Sequence, residues 1–434
     1  MSRPFQRSAT GWRIGLAVMA VLTVLLLLLA GYAGLLGGGK PAPPGNPTTR
    51  DATQAAPSDA AQIARGAYLA QVGNCAGCHT ARGGAPLAGG RALNTPYGTV
   101  HAGNLTPDPD TGLGRWSADD FWQALHHGRS RDGRRLLPVF PYPSYTQVSR
   151  ADSDALHAWL RSLAPVRQAN RPHALRFPYD TDIAIALWQV LFFRSGDAAQ
   201  AAMRATSDDP LQRGAYLVEG LGHCAECHAP RNLLGAAADL ARGGDMPGEP
   251  WHAPSLHPVD GQPQASVEDL VALLRSGQNR LGTASGPMAG VVHRSTQHWT
   301  EADLKAAAVY LAQRPRLSAA QAAVADAPAD SLALGRQLYD DRCADCHGSD
   351  GAGLPGVYPP LAGNPTVLQP VARNLVQVLR HGGFAPVTAA NPRPYGMPPQ
   401  DLDDREVAAL VNLMRQSWGN RAAPVSEVDV LRFK

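Results

Sequence analysis

Cysteine is scarce in this 434-residue chain: there are six, and all of them fall in a C-x-x-C-H string. The strings are CAGCH at Cys75–His79, CAECH at Cys224–His228 and CADCH at Cys343–His347. No thiol is left over, which excludes a disulfide framework. Methionine is nearly as rare, with seven residues. Charge of one sign is lacking too. Lys and Arg number 39 against 36 Asp and Glu, a formal net charge of +3. Such a balance gives no basic field for a nucleic acid and no steering for an acidic substrate, so no nucleic-acid partner is expected. What is plentiful is length, with 44% hydrophobic residues, 44 Gly and 37 Pro, more than one ordinary core accommodates. About three domains are expected.

A C-x-x-C-H string is the attachment signature of c-type haem. Two thiols form thioethers to the haem vinyl groups and the adjacent His is the proximal iron ligand. Zinc would require cysteine pairs to converge in space, and thiol redox chemistry has no use for the following His. Three strings without a spare cysteine therefore predict three covalently bound haem c groups. Cys75 and Cys78 with His79, Cys224 and Cys227 with His228, and Cys343 and Cys346 with His347 are the predicted cofactor-binding residues. An oxidising compartment is expected.

After Arg3, Arg7 and Arg13 comes an uncharged run, Ile14–Leu36, in which only Thr23 and Tyr32 carry polar side chains. At ~1.5 Å per residue such a run spans the ~30 Å hydrocarbon core. The flanking arginines place its start in the cytoplasm. A cleaved signal peptide, with Gly31 and Ala33 as small residues at a processing site, is the rival reading, and the length of the run favours a retained anchor. Either way the rest of the chain is expected on the periplasmic side of the inner membrane. The stretch that follows, rich in Gly, Pro, Ala and Thr, reads as a linker.

An internal repeat comes next. RGAYLAQVGNCAGCHTAR from Arg65 matches RGAYLVEGLGHCAECHAPR from Arg213, with one residue inserted ahead of the first Cys, and LGRQLYDDRCADCHGSDGAG from Leu334 is a looser copy. Each opens with a short helix carrying Tyr68, Tyr216 or Tyr339. Each closes with an amphipathic helix: Ser153–Leu163 behind an N-cap Ser, a helix from Thr300 burying Leu304, Ala307, Ala308 and Leu311, and Asp403–Met414. The expected fold is therefore all-α, three tandem class I cytochrome c domains after an N-terminal transmembrane helix. The expected boundaries are an anchor or signal segment 1–40, a flexible linker 41–59, a first domain 60–168, a connection 169–207, a second domain 208–316, a linker 317–330, a third domain 331–425 and a tail 426–434.

The sixth iron ligand is sought by register. Met288 in GPMAGVV and Met397 in YGMPPQ stand at comparable offsets beyond His228 and His347, in what read as loops ahead of the trailing helix. Both are predicted axial ligands, because thioether coordination suits an electron carrier. Met1 and Met19 lie in the N-terminal region, Met203 and Met246 read as misplaced for a distal loop, and Met414 belongs to a helix face. The same offset from His79 lands on Phe140, in LLPVFPYPSY, and a phenyl ring offers iron no lone pair. The sixth ligand of the first haem stays open, with His101, His126 and His127 as candidates and a five-coordinate iron as the alternative. His126 and His127 fall on a predicted helix, Ser117–Gly128.

Several longer strings carry a family resemblance: NLTPDPDTGLGRWS at Asn104–Ser117, PYPSY at Pro141–Tyr145, RGAYLVEGLGHCAECHAPRNLLG at Arg213–Gly235, GPMAGVVHRST at Gly286–Thr296 and SWGN at Ser417–Asn420. Across residues 60–425 the chain resembles the triheme cytochrome c subunit of membrane-bound periplasmic dehydrogenases that oxidise alcohols, gluconate and other sugar acids, or aldehydes. The resemblance implies a large periplasmic dehydrogenase subunit as partner, using pyrroloquinoline quinone, flavin or a molybdopterin, with a small third subunit as an optional member. It implies electron delivery to ubiquinone in the inner membrane and no catalytic residues in this chain. Members serving quinoprotein and flavin partners resemble a form with Met where Phe140 stands, and the PVFPY loop resembles relatives of molybdopterin-dependent aldehyde or N-heterocycle oxidoreductases. Two other classes remain: a haem enzyme of peroxidase or thiosulfate oxidoreductase type with an open first haem and Arg131, Arg134 and Arg135 near it, and an electron donor to a terminal oxidase.

Overall fold

The computed structural model describes residues 19, 22, 23, 26, 59–237, 242–260, 262–318 and 324–433. Three units are built on one plan, a leading helix crossed by a trailing helix. In the first, Ala60–Val72 starts where the Asp59 side chain accepts from the Ala61 N–H, and it lies against Arg150–Ser162. In the second, Pro210–Ala215 lies against Glu301–Ala312, and in the third Ala329–Arg342 lies against Asp404–Gln416. The crossings are close because Gly66, Gly214 and Gly335 face the carbonyl groups of Ala155, Ala306 and Ala409. A Cβ at any of the three would overlap backbone, which is the physical reason for the glycine shared by the three repeats.

Local sequence accounts for the helix limits. Thr300 and Asp403 are the N-caps of the second and third trailing helices. The first trailing helix begins earlier than expected, since Ser149, not Ser153, is its N-cap and accepts from the Asp152 N–H. Helix Ala118–His127 lies between a Ser117–Asp120 capping box and a left-handed Gly128. The residue inserted in the second repeat is taken up as a π-helical turn, Tyr216–Leu221, ahead of Cys224.

Two expectations are corrected here. The fold is not all-α but mixed. Ala92–Thr95 and Gly98–His101 form an antiparallel hairpin that Ala174–Leu175 extends, and Gly244–Asp245, Gln278–Asn279 and Gly383–Phe384 each pair in a short ladder. These strands are too short for a two-residue alternation to register in sequence. The second correction is the N-terminal transmembrane helix and the inner-membrane localisation drawn from it. Among the described residues no helix is long and apolar enough to cross a membrane. The longest, Ala329–Arg342, has 14 residues, about 21 Å at ~1.5 Å per residue, short of a ~30 Å hydrocarbon core. Apart from four residues, the run Ile14–Leu36 lies outside the described residues, as does 41–58 of the expected linker.

The first and second units share one hydrophobic core, in which Leu69, Val72, Leu156 and Leu160 meet Leu217, Leu221 and Leu304. The third unit has its own, around Leu338, Tyr339, Val376, Leu410 and Val411. A reciprocal polar network joins the first two. Arg65 pairs with Asp152 of its own unit at 2.6 Å and Arg213 with Asp303 of its own at 2.7 Å. The tyrosines cross over: Tyr216 donates to Asp152 at 2.6 Å and Tyr68 to Asp303 at 2.5 Å. Each phenol oxygen also accepts a backbone N–H at the start of the other unit's trailing helix, from Ser149 and Thr300. Burial and the aspartate partner push both phenols up, Tyr68 to about 12, so each stays a donor.

The network carries a pH dependence. Burial alone would raise the Asp303 carboxyl, but hydrogen bonds from Arg213 and Tyr68 and the Arg213 charge outweigh it, holding the pKa below the ordinary value. A carboxylate depressed in the folded state contributes stability above its unfolded value, near ~3.9, and that stability is lost as pH falls through the folded value. Asp303→Asn is expected to remove this part of the acid-unfolding limb below about pH 4, and an unaltered limb would show that the pair does not act this way. Tyr216→Phe is expected to cost about 1.5–3 kcal/mol, the range for a hydrogen bond to a charged group, in denaturant unfolding of the haem-loaded protein.

Candidate haem sites

Each C-x-x-C-H string forms a short helical turn: Cys75–His79, Ala225–His228 and Ala344–His347. The three histidines share one device. Nδ1 lies 2.7 Å from the Gly103 carbonyl oxygen in His79, 2.7 Å from that of Pro254 in His228 and 3.0 Å from that of Pro359 in His347. A carbonyl only accepts, so Nδ1 carries the proton and the Nε2 lone pair is left for a metal. Burial lowers the pKa of all three imidazoles, favouring the neutral, ligating form.

All six cysteines are unpaired in the structure. Burial pushes the Cys75 and Cys224 thiols up to about 12 and Cys343 up to about 11. Among the described residues no cluster of three or more His, Cys, Asp or Glu could hold a metal ion, so the cysteine pairs do not converge as a zinc site requires. A cavity of about 1520 Å³ with mostly apolar walls opens beside the first string. Cys75, Cys78 and His79 of the first string and Cys227 of the second all line it. Cys227 is pushed up to about 11 by burial first, with the Glu226 and Cys78 charges adding to it. A paired-thiol and imidazole donor set on the wall of an apolar cavity of this size fits a covalently held haem.

The distal candidates fall in different settings. Phe140 lines the cavity, its ring edge-on to Tyr145 at 5.4 Å. His101 also lines it, with Nδ1–H donating to the Pro172 carbonyl oxygen at 2.9 Å. His126 and His127 sit at the end of helix Ala118–His127 and do not border the cavity. His126 is buried, stacked on Trp122 at 4.3 Å. Met288 lies in a helix, Gly286–Arg294, rather than a loop, and Met397 lies on a two-residue strand packed on the third core. Met246, which reads as misplaced in sequence, borders the cavity. So does His223, which nothing in the sequence marks except its place before Cys224.

Comparison with known proteins now decides the family. The cytochrome c family model matches residues 63–164 and 332–418. The chain is 36% identical over 406 residues to the cytochrome c subunit of the alcohol dehydrogenase (quinone) of Gluconobacter oxydans, covering 88% of this chain and 84% of that one. The chain belongs to the family of dehydrogenase cytochrome c subunits. To the gluconate 2-dehydrogenase cytochrome c subunit of Pantoea cypripedii it is 38% identical, covering 86% of this chain and 90% of the other. It is 39% identical to a nicotinate dehydrogenase subunit of Pseudomonas putida, over 85% of this chain and 32% of that longer protein. As a cytochrome c subunit it is an electron-transfer protein with covalently bound haem c, and the substrate chemistry of such complexes lies outside it.

The cavity sorts the sixth-ligand candidates. In the haem-loaded cytochrome, His126→Ala and His127→Ala are expected to leave the electron paramagnetic resonance signal of the first haem unaltered, whereas Phe140→Met is expected to change it. A first haem that responds to His126→Ala and ignores Phe140→Met would refute this assignment.

Proposed function

We propose that this cytochrome is a triheme relay, taking electrons from a dehydrogenase partner and passing them to ubiquinone. The observation that carries the reading is the threefold recurrence of a half-buried, carbonyl-oriented histidine directly after a cysteine pair. Bound haem supplies a one-electron iron couple at each site. The chain does the rest. Cys75 and Cys78, Cys224 and Cys227, and Cys343 and Cys346 hold the groups by thioether bonds, and His79, His228 and His347 ligate the iron from the proximal side. Met288 and Met397 are the distal ligands of the second and third haems, and Phe140 stands at the distal side of the first. The three domains are 60–168, 208–316 and 331–425.

The partner reading is supported by the relatives, whose names tie them to alcohol, gluconate and nicotinate dehydrogenases. Substrate chemistry varies among those names while this subunit's plan persists, so the substrate is set by the partner.

Haem content tests the count. A pyridine haemochrome assay is expected to give three haems per chain, all retained on a denaturing gel, and two would overturn the triheme reading. Met288→Ala or Met397→Ala is each expected to remove about half of the near-infrared sulfur-to-iron band, since only two of the haems have a thioether ligand. A band of three equal contributions in the unaltered protein would refute the place given to Phe140.

A further inference from the structure

The residue ahead of each of the first two haem motifs, Asn74 before Cys75 and His223 before Cys224, has a left-handed backbone, with φ of 49° and 39°. Side-chain-bearing residues avoid that region, and such outliers persist where the surroundings over-determine them. At His223 the surroundings belong to the other unit. Its Nε2–H donates to the carbonyl oxygen of Gly73, just ahead of Asn74 and Cys75, at 3.2 Å. Its ring stands edge-on to Tyr145, 5.6 Å between centroids, and Tyr145 in turn meets Phe140. The neighbouring carbonyl, Val72, is taken by the second unit as well. It accepts from the buried Ser295 hydroxyl at 3.0 Å, and Ser295 is held by the Trp299 indole N–H at 3.2 Å. The carbonyls of Val72 and of the cap residue Gly73, where the helix runs into the first haem motif, are therefore satisfied by side chains of the second unit, one of them adjacent in sequence to the second haem motif.

We infer that His223 is a positioning residue that holds the second haem motif in a fixed relation to the first. Because it joins the two attachment segments by one side chain, its loss loosens both at once while the units stay fused by their shared core. A single electron passing from a ferrous to a ferric iron between these sites, with no proton, then has to cross a gap whose width is no longer fixed. This rests on the reading that both motifs carry haem.

The test uses the full chain loaded with haem. His223→Ala is expected to speed hydrogen–deuterium exchange of amides 73–79 and to slow electron transfer between the first and second haems by about tenfold or more, the scale on which outer-shell partners act. Pulsed electron paramagnetic resonance is expected to show a broadened distance between the two ferric irons. His223→Gln keeps an N–H donor toward Gly73 and is expected to restore much of both. If His223→Ala does not take up haem, His223→Asn, which tolerates the left-handed backbone but falls short of Gly73, is expected to give the same loosening. Normal exchange, distance and transfer in either fully loaded variant overturn the inference and leave the relay reading standing. Absence of haem from either motif in the unaltered chain overturns the relay reading instead.

Discussion

Two buried aspartates, Asp152 and Asp303, hold the first and second units together. Each is the third residue of a trailing helix, and each accepts an arginine from its own unit and a tyrosine from the other. A carboxylate in such a place costs several kcal/mol to desolvate unless it is paired and its lone pairs are filled. Neither unit supplies a full set of donors by itself. The tyrosines Tyr68 and Tyr216 therefore tie the charge balance of each unit to the presence of the other, and the shared apolar core around Leu69, Leu217 and Leu304 follows from the same juxtaposition.

The third unit shows what happens without that exchange. Its tyrosine, Tyr339, turns inward and donates to the Gly348 carbonyl oxygen at 2.6 Å. The third residue of its trailing helix is Glu406, which is spent on the helix's own capping box with Asp403. Its core is closed by local means, including a fully buried Arg415 that donates to the carbonyl oxygens of Val367, Gln369 and Ala423. Smaller contacts join it to the second unit, among them Arg373 with Asp245 at 3.0 Å, Asn374 bonded to both the N–H and the carbonyl of His252, and His293 bonded to the Val387 carbonyl oxygen. Three copies of one plan thus give a fused pair and a docked third.

How much of this the sequence disclosed depends on how local each cause is. Haem motifs and capped helices are set by residues a few positions apart, and RGAY, TEAD and DDRE can be read directly, whereas the reason for the glycine in each leading helix lies in a distant carbonyl of the trailing helix. The N-cap at Ser149 was hidden by an equally good cap signal at Ser153. The strands were hidden by their length. The reciprocal tyrosines and the His223 contact join residues 64 to 235 positions apart, and no period in a single sequence reports a pairing between two units. Phe140 stands out in sequence only because a repeat supplies a register, and it borders the same cavity as Cys75 and His79.

On the relay reading, the three sites begin from the same proximal half and diverge at the distal half. A histidine fixed by a backbone carbonyl gives each site the same imidazole donor, so differences between sites must come from the other side of the iron and from burial. On the relay reading, thioethers at Met288 and Met397 stabilise ferrous iron, and a phenyl ring at Phe140 does not. The chain then carries unlike redox sites, two of them locked together by Asp152, Asp303, Tyr68 and Tyr216. That arrangement meets a mismatch inherent in the chemistry. A dehydrogenase releases two electrons per turnover and a quinone accepts two, but haem iron carries one at a time. On that reading, two haems on units fused through one core can together hold both electrons of a turnover, one on each iron.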